Sequence, residues 1–142
     1  MNVLFVCTGN TCRSPMAAAL FNKIAVEKDL PVKIESAGIF ANEGDAASAE
    51  AIAVMKAYDI DLLGHHAQNI NTELLEKSDL VLTMTMAHKM VLEQYLGDKV
   101  YTLLEFAGMD GDIPDPYGGD VDEYKACAES LYEALLKVAD KI

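Results

Sequence analysis

Positive charge is scarce in this chain, and arginine is scarcer still. Against 23 aspartates and glutamates stand 11 lysines and arginines, for a formal net charge of −12, and Arg13 is the single arginine. That balance argues against a nucleic-acid partner, because affinity for a phosphate backbone comes from clustered lysine and arginine. It also repels small anions at long range. Any site that handles phosphate must therefore be local, built from backbone dipoles and a few cations. Long apolar runs are missing too. None approaches the roughly 20 residues a membrane-spanning helix needs, and the start, Asn2 to Cys7, lacks the basic residues and extended apolar stretch of a secretory signal. The expectation is a cytoplasmic protein with no membrane partner.

Cysteine is sparse and odd in number, at Cys7, Cys12 and Cys127, which speaks against a disulfide framework. There is no Cys-x-x-Cys pair, and His65, His66 and His88 stand at no zinc-ligand spacing from the cysteines. We expect no metal and no cofactor. Repeats, linkers and low-complexity tracts are absent as well. What remains is 142 residues, 51% hydrophobic and 24% charged, enough for one globular domain over 1–142 with a core of its own.

The apolar pattern alternates between strand and helix periods. Val3 to Val6 is a continuous apolar run that reads as a buried central strand. Met16, Leu20 and Ile24 then recur at helical spacing, behind Ser14 as N-cap and Pro15 in the first turn. After Pro31, residues 32–36 alternate as an edge strand would. Asp45 is placed to cap a helix carrying Ala51, Val54, Met55 and Tyr58 on one face, and a short helix is expected over Asn71 to Lys77. Residues 79–84 form a second apolar strand, followed by a helix to about Tyr95 and a last strand over 99–104. A loop rich in glycine, aspartate and proline (108–120) leads to a final helix with Tyr124, Ala128, Leu131, Leu135 and Val138 on one face. This alternation predicts an α/β fold: a single doubly wound, Rossmann- or flavodoxin-like domain with a four-stranded parallel sheet flanked by helices. Ligands of such sheets bind beyond the carboxyl ends of the strands.

One of those ends reads Cys7-Thr8-Gly9-Asn10-Thr11-Cys12-Arg13-Ser14. Cys7 leaves a strand, Gly9 and Asn10 tolerate left-handed backbone, and Ser14 opens a helix. A loop wound this way points successive N–H groups into one concavity with a helix dipole behind it, which is an anion nest. A thiolate is favoured in the same field. Arg13 adds paired N–H donors to a bound oxyanion, a geometry lysine lacks. The plain alternative, a buried strand cysteine and a surface arginine, leaves the glycine, the serine and the strand-to-helix context unexplained.

Cys7-x5-Arg13-Ser14 near the N-terminus, together with Asp115-Pro116-Tyr117-Gly118-Gly119, resembles the low-molecular-weight protein tyrosine phosphatase family over the whole chain. Other cysteine phosphatases carry Cys-x5-Arg late, after their acid. The resemblance implies that Cys7 is the nucleophile, taking the phosphoryl group as phosphocysteine. The backbone N–H groups of Thr8, Gly9, Asn10, Thr11, Cys12 and Arg13 would cradle the phosphate, with the Arg13 fork on two of its oxygens. Ser14 would hydrogen-bond the Cys7 thiolate. Asn10 would pin the loop with help from Ser36 and His65, although His65 and His66 compete for that role and a surface histidine pair is the plain reading. Asp115 would be the general acid and then the base; taken alone, Asp-Pro is an ordinary turn signal. Tyr117 would wall the substrate side chain, its alternative being a core-packing tyrosine. Cys12 can pair with Cys7 as a reversible redox partner in this family, or fill space. The implied partners are phosphorylated proteins, with a monomer preferred over an oligomer.

Thr11 is a departure, because tyrosine-selective members commonly carry isoleucine there. With it the chain looks most like the branch described as protein arginine phosphatases, found in Gram-positive bacteria. Threonine keeps the β-branch that suits the loop, while its hydroxyl and single methyl widen the pocket and make it more polar, as a guanidinium next to phosphorus requires. Phosphoarginine is thus the favoured substrate and phosphotyrosine the alternative. Arsenate reductases of similar fold need two further cysteines for a disulfide relay, where only Cys127 remains. A catalytically dead phosphoprotein-binding module is disfavoured because Cys7 and Asp115 are both present.

Overall fold

A computed structural model describes residues 1–142. Its centre is strand β1 (Asn2–Cys7), flanked by β2 (Lys33–Gly38) on one side and β3 (Leu80–Thr83) on the other, with β4 (Val100–Thr102) at the far edge. The order is β2-β1-β3-β4 and every pairing is parallel. Parallel strands need crossovers, and helices supply them: α1 (Arg13–Lys28) between β1 and β2, α2 (Ala49–Ala57) and α3 (Thr72–Lys77) between β2 and β3, and α4 (Met86–Leu96) between β3 and β4. After β4 come a single turn, α5 (Leu103–Phe106), and the long α6 (Val121–Ala139).

The pleat of β1 divides the core. Val3, Phe5 and Cys7 face the larger cluster, among Leu20, Phe21 and Ile24 of α1 and Leu131 and Leu135 of α6. Leu4 and Val6 face the smaller one, with Leu74 of α3 and Leu92 of α4. A strand buried on both faces has no room for polar alternation, which is why residues 3–6 are all apolar. Phe5 and Phe21 meet edge to face at 5.7 Å between ring centroids. Truncating one of these large core side chains to alanine costs about 3–5 kcal/mol through lost burial and the cavity left behind.

Three local expectations give way to tertiary context. The helix after the loop begins at Arg13 with Cys12 at the N-cap, which makes no side-chain capping bond, and the Ser14 hydroxyl is turned to Cys7 and Asn10 instead. Ser48, rather than Asp45, caps α2 by accepting from the Ala51 N–H. The backbone of Asp45 is instead paired with Asn42 and Ala67. The last strand stops at Thr102, because Thr102 and Glu105 form a reciprocal capping box that turns Leu103 and Leu104 into α5.

Candidate active site

The carboxyl end of β1, the loop at 8–12, the start of α1, and the segment carrying Asp115 and Tyr117 enclose a cleft of about 220 Å³. Its lining comprises residues 7–13, Asp115 and Tyr117. The residues singled out for the loop and its acid are thus brought to one place.

Asn10 holds the loop in shape. It is fully buried with φ of 56°, a left-handed conformation that asparagine tolerates better than most residues. Every polar group it carries is used. Its N–H donates to Cys7 Sγ at 3.3 Å, and its Nδ2 donates to Ser14 Oγ at 2.8 Å and to Ser36 Oγ at 3.0 Å. Its Oδ1 accepts from the Gln68 N–H at 3.0 Å, and its carbonyl accepts from His65 Nε2 at 2.7 Å. The hydrogen bonds of a buried amide so satisfied offset the loss of its water, and they tie the loop to β2 and to the segment before α3. Of the two adjacent histidines, His65 is the one on the loop.

Cys7 Sγ sits 2.8 Å from Ser14 Oγ. As a thiolate the sulfur is purely an acceptor, so it takes the Asn10 N–H and the Ser14 O–H together. Arg13 is 5% exposed, with Nη1 donating to the Ile113 carbonyl at 3.0 Å and Nη2 lying 3.7 Å from Asp115 Oδ2. One of its five N–H donors is therefore spent on fixing the side chain, and the others remain for an oxyanion.

The segment that carries Asp115 is docked rather than loose. The Ile113 N–H donates to the Met84 carbonyl at 2.9 Å, and the Met86 N–H donates to Asp112 Oδ1 at 2.8 Å. Pro114 and Pro116 stiffen the chain on both sides of Asp115, whose Oδ1 accepts from the Tyr117 N–H at 3.0 Å. Tyr117 then occupies a turn closed by Gly119 N–H to the Pro116 carbonyl, in which Gly118 takes φ of 82°. Tyr117 stands 77% exposed at the rim, so the core-packing alternative fails. Thr11 is half-buried in the lining, and its carbonyl accepts from the Ser48 N–H.

Cys12 and Cys7 are both free thiols. Cys12 Sγ lies 3.1 Å from the Tyr124 hydroxyl and 3.6 Å from Ser48 Oγ. Burial, reinforced by that bond to Cys12, pushes the Tyr124 phenol upward. Burial likewise pushes the Cys127 thiol up to about 12, which leaves it a neutral core group.

Three residues at the site escaped the sequence reading. Gly38 runs so close to the loop that a Cβ there would lie 2.4 Å from the Thr8 carbonyl oxygen. Gln68 donates its backbone N–H to Asn10. His88 bonds Thr8 and Thr85. Only Gly38 carried a local signal, as a glycine ending a strand. The other two depend on which crossovers meet.

A profile of the low molecular weight phosphotyrosine protein phosphatase family matches residues 2–142. The chain belongs to that family. A protein-arginine-phosphatase of Bacillus subtilis (strain 168) is 43% identical over 146 residues, covering 100% of this chain and 97% of its own. A solved low molecular weight protein tyrosine phosphatase from T. tengcongensis is 45% identical, with a TM-score of 0.96 over 100% of this chain and 99% of that one. A solved YwlE arginine phosphatase, a cysteine-to-serine mutant with its active-site serine phosphorylated, is 43% identical, with a TM-score of 0.95 over 99% and 95% of the two chains.

Proposed function

We propose that the chain is a protein phosphatase that uses Cys7 as nucleophile and favours phosphoarginine. The observation that carries it is the Cys7 sulfur, met by the Asn10 N–H and the Ser14 hydroxyl, beside a buried arginine and opposite Asp115. The thiolate attacks phosphorus, the bond from phosphorus to the leaving group breaks, and the Asp115 carboxyl gives that group its proton. The loop N–H groups and Arg13 hold the three equatorial oxygens as charge spreads over them. Asp115, now a carboxylate, takes a proton from water as it attacks the phosphocysteine. Cys7 leaves as a thiolate stabilised by Ser14 and Asn10, and phosphate is released.

Phosphoarginine is favoured for two reasons. Thr11 in the lining presents a hydroxyl where a longer aliphatic residue would narrow the pocket, and Asp115, with its side chain 53% exposed at the mouth, can accept from guanidinium N–H groups. Relatives named for phosphoarginine hydrolysis match end to end, and the phosphorylated serine in one of them supports a covalent intermediate at the corresponding nucleophile. The second reading, phosphotyrosine, is favoured by the exposed ring of Tyr117 at the rim and by the T. tengcongensis relative.

The test compares hydrolysis of phosphoarginine and phosphotyrosine peptides by the wild type and by Thr11→Ile. A preference for phosphoarginine that the substitution shifts toward phosphotyrosine is expected. Preference for phosphotyrosine in both proteins sinks the arginine assignment, and turnover by Cys7→Ser sinks the covalent mechanism.

A further inference from the structure

His88 takes no part in the reaction above, yet both of its ring nitrogens are engaged beside the cleft. It is the third residue of α4, 8% exposed. Nδ1 lies 3.0 Å from Thr85 Oγ1, and Nε2 lies 2.9 Å from Thr8 Oγ1. Thr85 is the N-cap of α4, and its hydroxyl oxygen accepts the backbone N–H of His88. Thr8 is the residue directly after Cys7, exposed in the lining of the cleft.

Proton counting then favours one of the two ring tautomers that fit these distances. Thr85 Oγ1 already accepts the His88 backbone N–H, which favours its own proton going to Nδ1 over a second donor, the ring N–H, pointing at it. With Nδ1 accepting, the neutral ring carries its proton on Nε2 and donates it to Thr8 Oγ1. The Thr8 oxygen is thereby held, which leaves its own hydroxyl proton free for an acceptor in the cleft. Donors linked in series polarise one another, so such a hydroxyl is a better donor to an anion than a free one.

We propose that His88 is a positioning residue that acts through Thr8, aiming the Thr8 hydroxyl at an oxygen of the bound phosphoryl group. The proposal rests on the phosphatase reading above and adds a side-chain donor to the backbone cradle. The charged groups facing the ring are Arg13, Asp112 and Asp115. Burial first, and Arg13 second, lower the imidazole below its ordinary value against the opposing pull of the two aspartates. Both effects favour the neutral ring, as a one-proton relay requires.

The test measures inorganic phosphate binding by calorimetry, alongside KM and kcat for a phosphorylated peptide, for wild type, His88→Leu, His88→Gln, Thr8→Ala and the His88→Leu/Thr8→Ala pair. One charge-assisted hydrogen bond is worth about 10-fold in affinity. We expect about that loss of phosphate affinity, with KM rising in step, for His88→Leu and for Thr8→Ala. The double variant should lose no more than either single one. His88→Gln, whose amide N–H can reach Thr8, should restore most of the loss. Nitrogen NMR of the wild type should find the ring proton on Nε2.

Additive losses in the double variant, or unchanged phosphate affinity in Thr8→Ala, overturn the proposal. So does a ring proton on Nδ1, which would leave Thr8 donating to the ring. Thr8 is exposed, so its variant reports even if His88→Leu folds poorly. Should the wild type bind phosphate and turn over peptide while the variants match it, only this inference falls. A wild type that does not bind phosphate overturns the phosphatase reading as well.

Discussion

Arg13 and Asp115 face each other across the cleft, with Nη2 3.7 Å from Oδ2, and join the start of the first helix to the segment before the last. The contact is long for an ion pair, and Asp115 is half open to water, so its Coulombic worth is small. Its importance is geometric. The cation that would hold the phosphoryl group and the acid that would protonate the leaving group are fixed relative to each other through the Ile113 carbonyl.

Asp115→Asn keeps the shape of this contact and removes the acid. For a leaving group that needs a proton, such as guanidine or tyrosine, kcat/KM should fall by about 10²-fold or more. For an activated ester such as 2,4-dinitrophenyl phosphate it should stay near the wild-type value. Equal losses on both substrates would take the acid role away from Asp115.

Gly38→Ala places a methyl group 2.4 Å from the Thr8 carbonyl oxygen, where backbone rather than a flexible side chain is in the way. The loop or β2 must shift. Overpacking of this kind costs about 1–3 kcal/mol. Urea denaturation should register that loss, together with weakened phosphate binding. A variant as stable as the wild type, with unaltered binding, would mean that the close approach does not matter.

The segments after β2 (39–48) and after α5 (107–120) carry Glu43, Asp45, Asp110, Asp112, Asp115 and Asp120 without a single lysine, and Arg13 is the one cation lining the cleft. A phosphate monoester therefore approaches against a negative field, and the attraction begins only at short range. Raising sodium chloride from about 0.02 to 0.2 M contracts the screening length roughly three-fold. KM for a small anionic substrate should fall as salt rises, by about 2- to 5-fold. A KM that climbs with salt would show that net attraction governs the approach.

His88 also sets a pH dependence of stability. Its folded pKa lies below the unfolded value of 6.5 because burial, then Arg13, disfavours the imidazolium. Between the folded and unfolded values the unfolded chain holds more protons, so stability rises with pH through that window and levels off above about 6.5. Acidification below 6.5 should therefore destabilise the wild type by a component that His88→Leu lacks. Urea midpoints at pH 5 to 7.5 measure the difference between the two proteins, and a difference that is flat across that range would refute the shift.

Much of the molecule was legible before any coordinates. β1 and β3 read directly because a strand buried on both faces admits only apolar residues. α6 read directly because one face of a long helix must stay apolar to cover the sheet, and its stripe from Tyr124 to Val138 is buried throughout. The loop from Cys7 to Ser14 was legible because its pattern is contiguous: Cys7, the turn residues, Arg13 and Ser14 lie within a few residues of one another. Capping was less so. Ser14 has the composition of a cap, but a partner 2.8 Å away, in Cys7, outweighs the local preference. Likewise the apolar pair Leu103 and Leu104 continued the strand pattern until the Thr102–Glu105 box turned it into helix.

The sequence by itself determined the alternating parallel architecture, which rests on periodicity, and the pattern of the loop from Cys7 to Ser14, which rests on a contiguous motif. The resemblance pointed to Asn10, Ser36 and His65 as what holds the loop, and tertiary structure alone chose His65 over His66 and added Gln68, Gly38 and His88. Asn10 meets Ser36, His65 and Gln68, Gly38 makes room for Thr8, and His88 reaches Thr8 from α4. Those partners come from separate crossovers, and no local pattern encodes which loops meet. Their meeting follows from the strand order that places β2 and β3 on either side of β1, so the loops at their carboxyl ends converge on the end of the central strand.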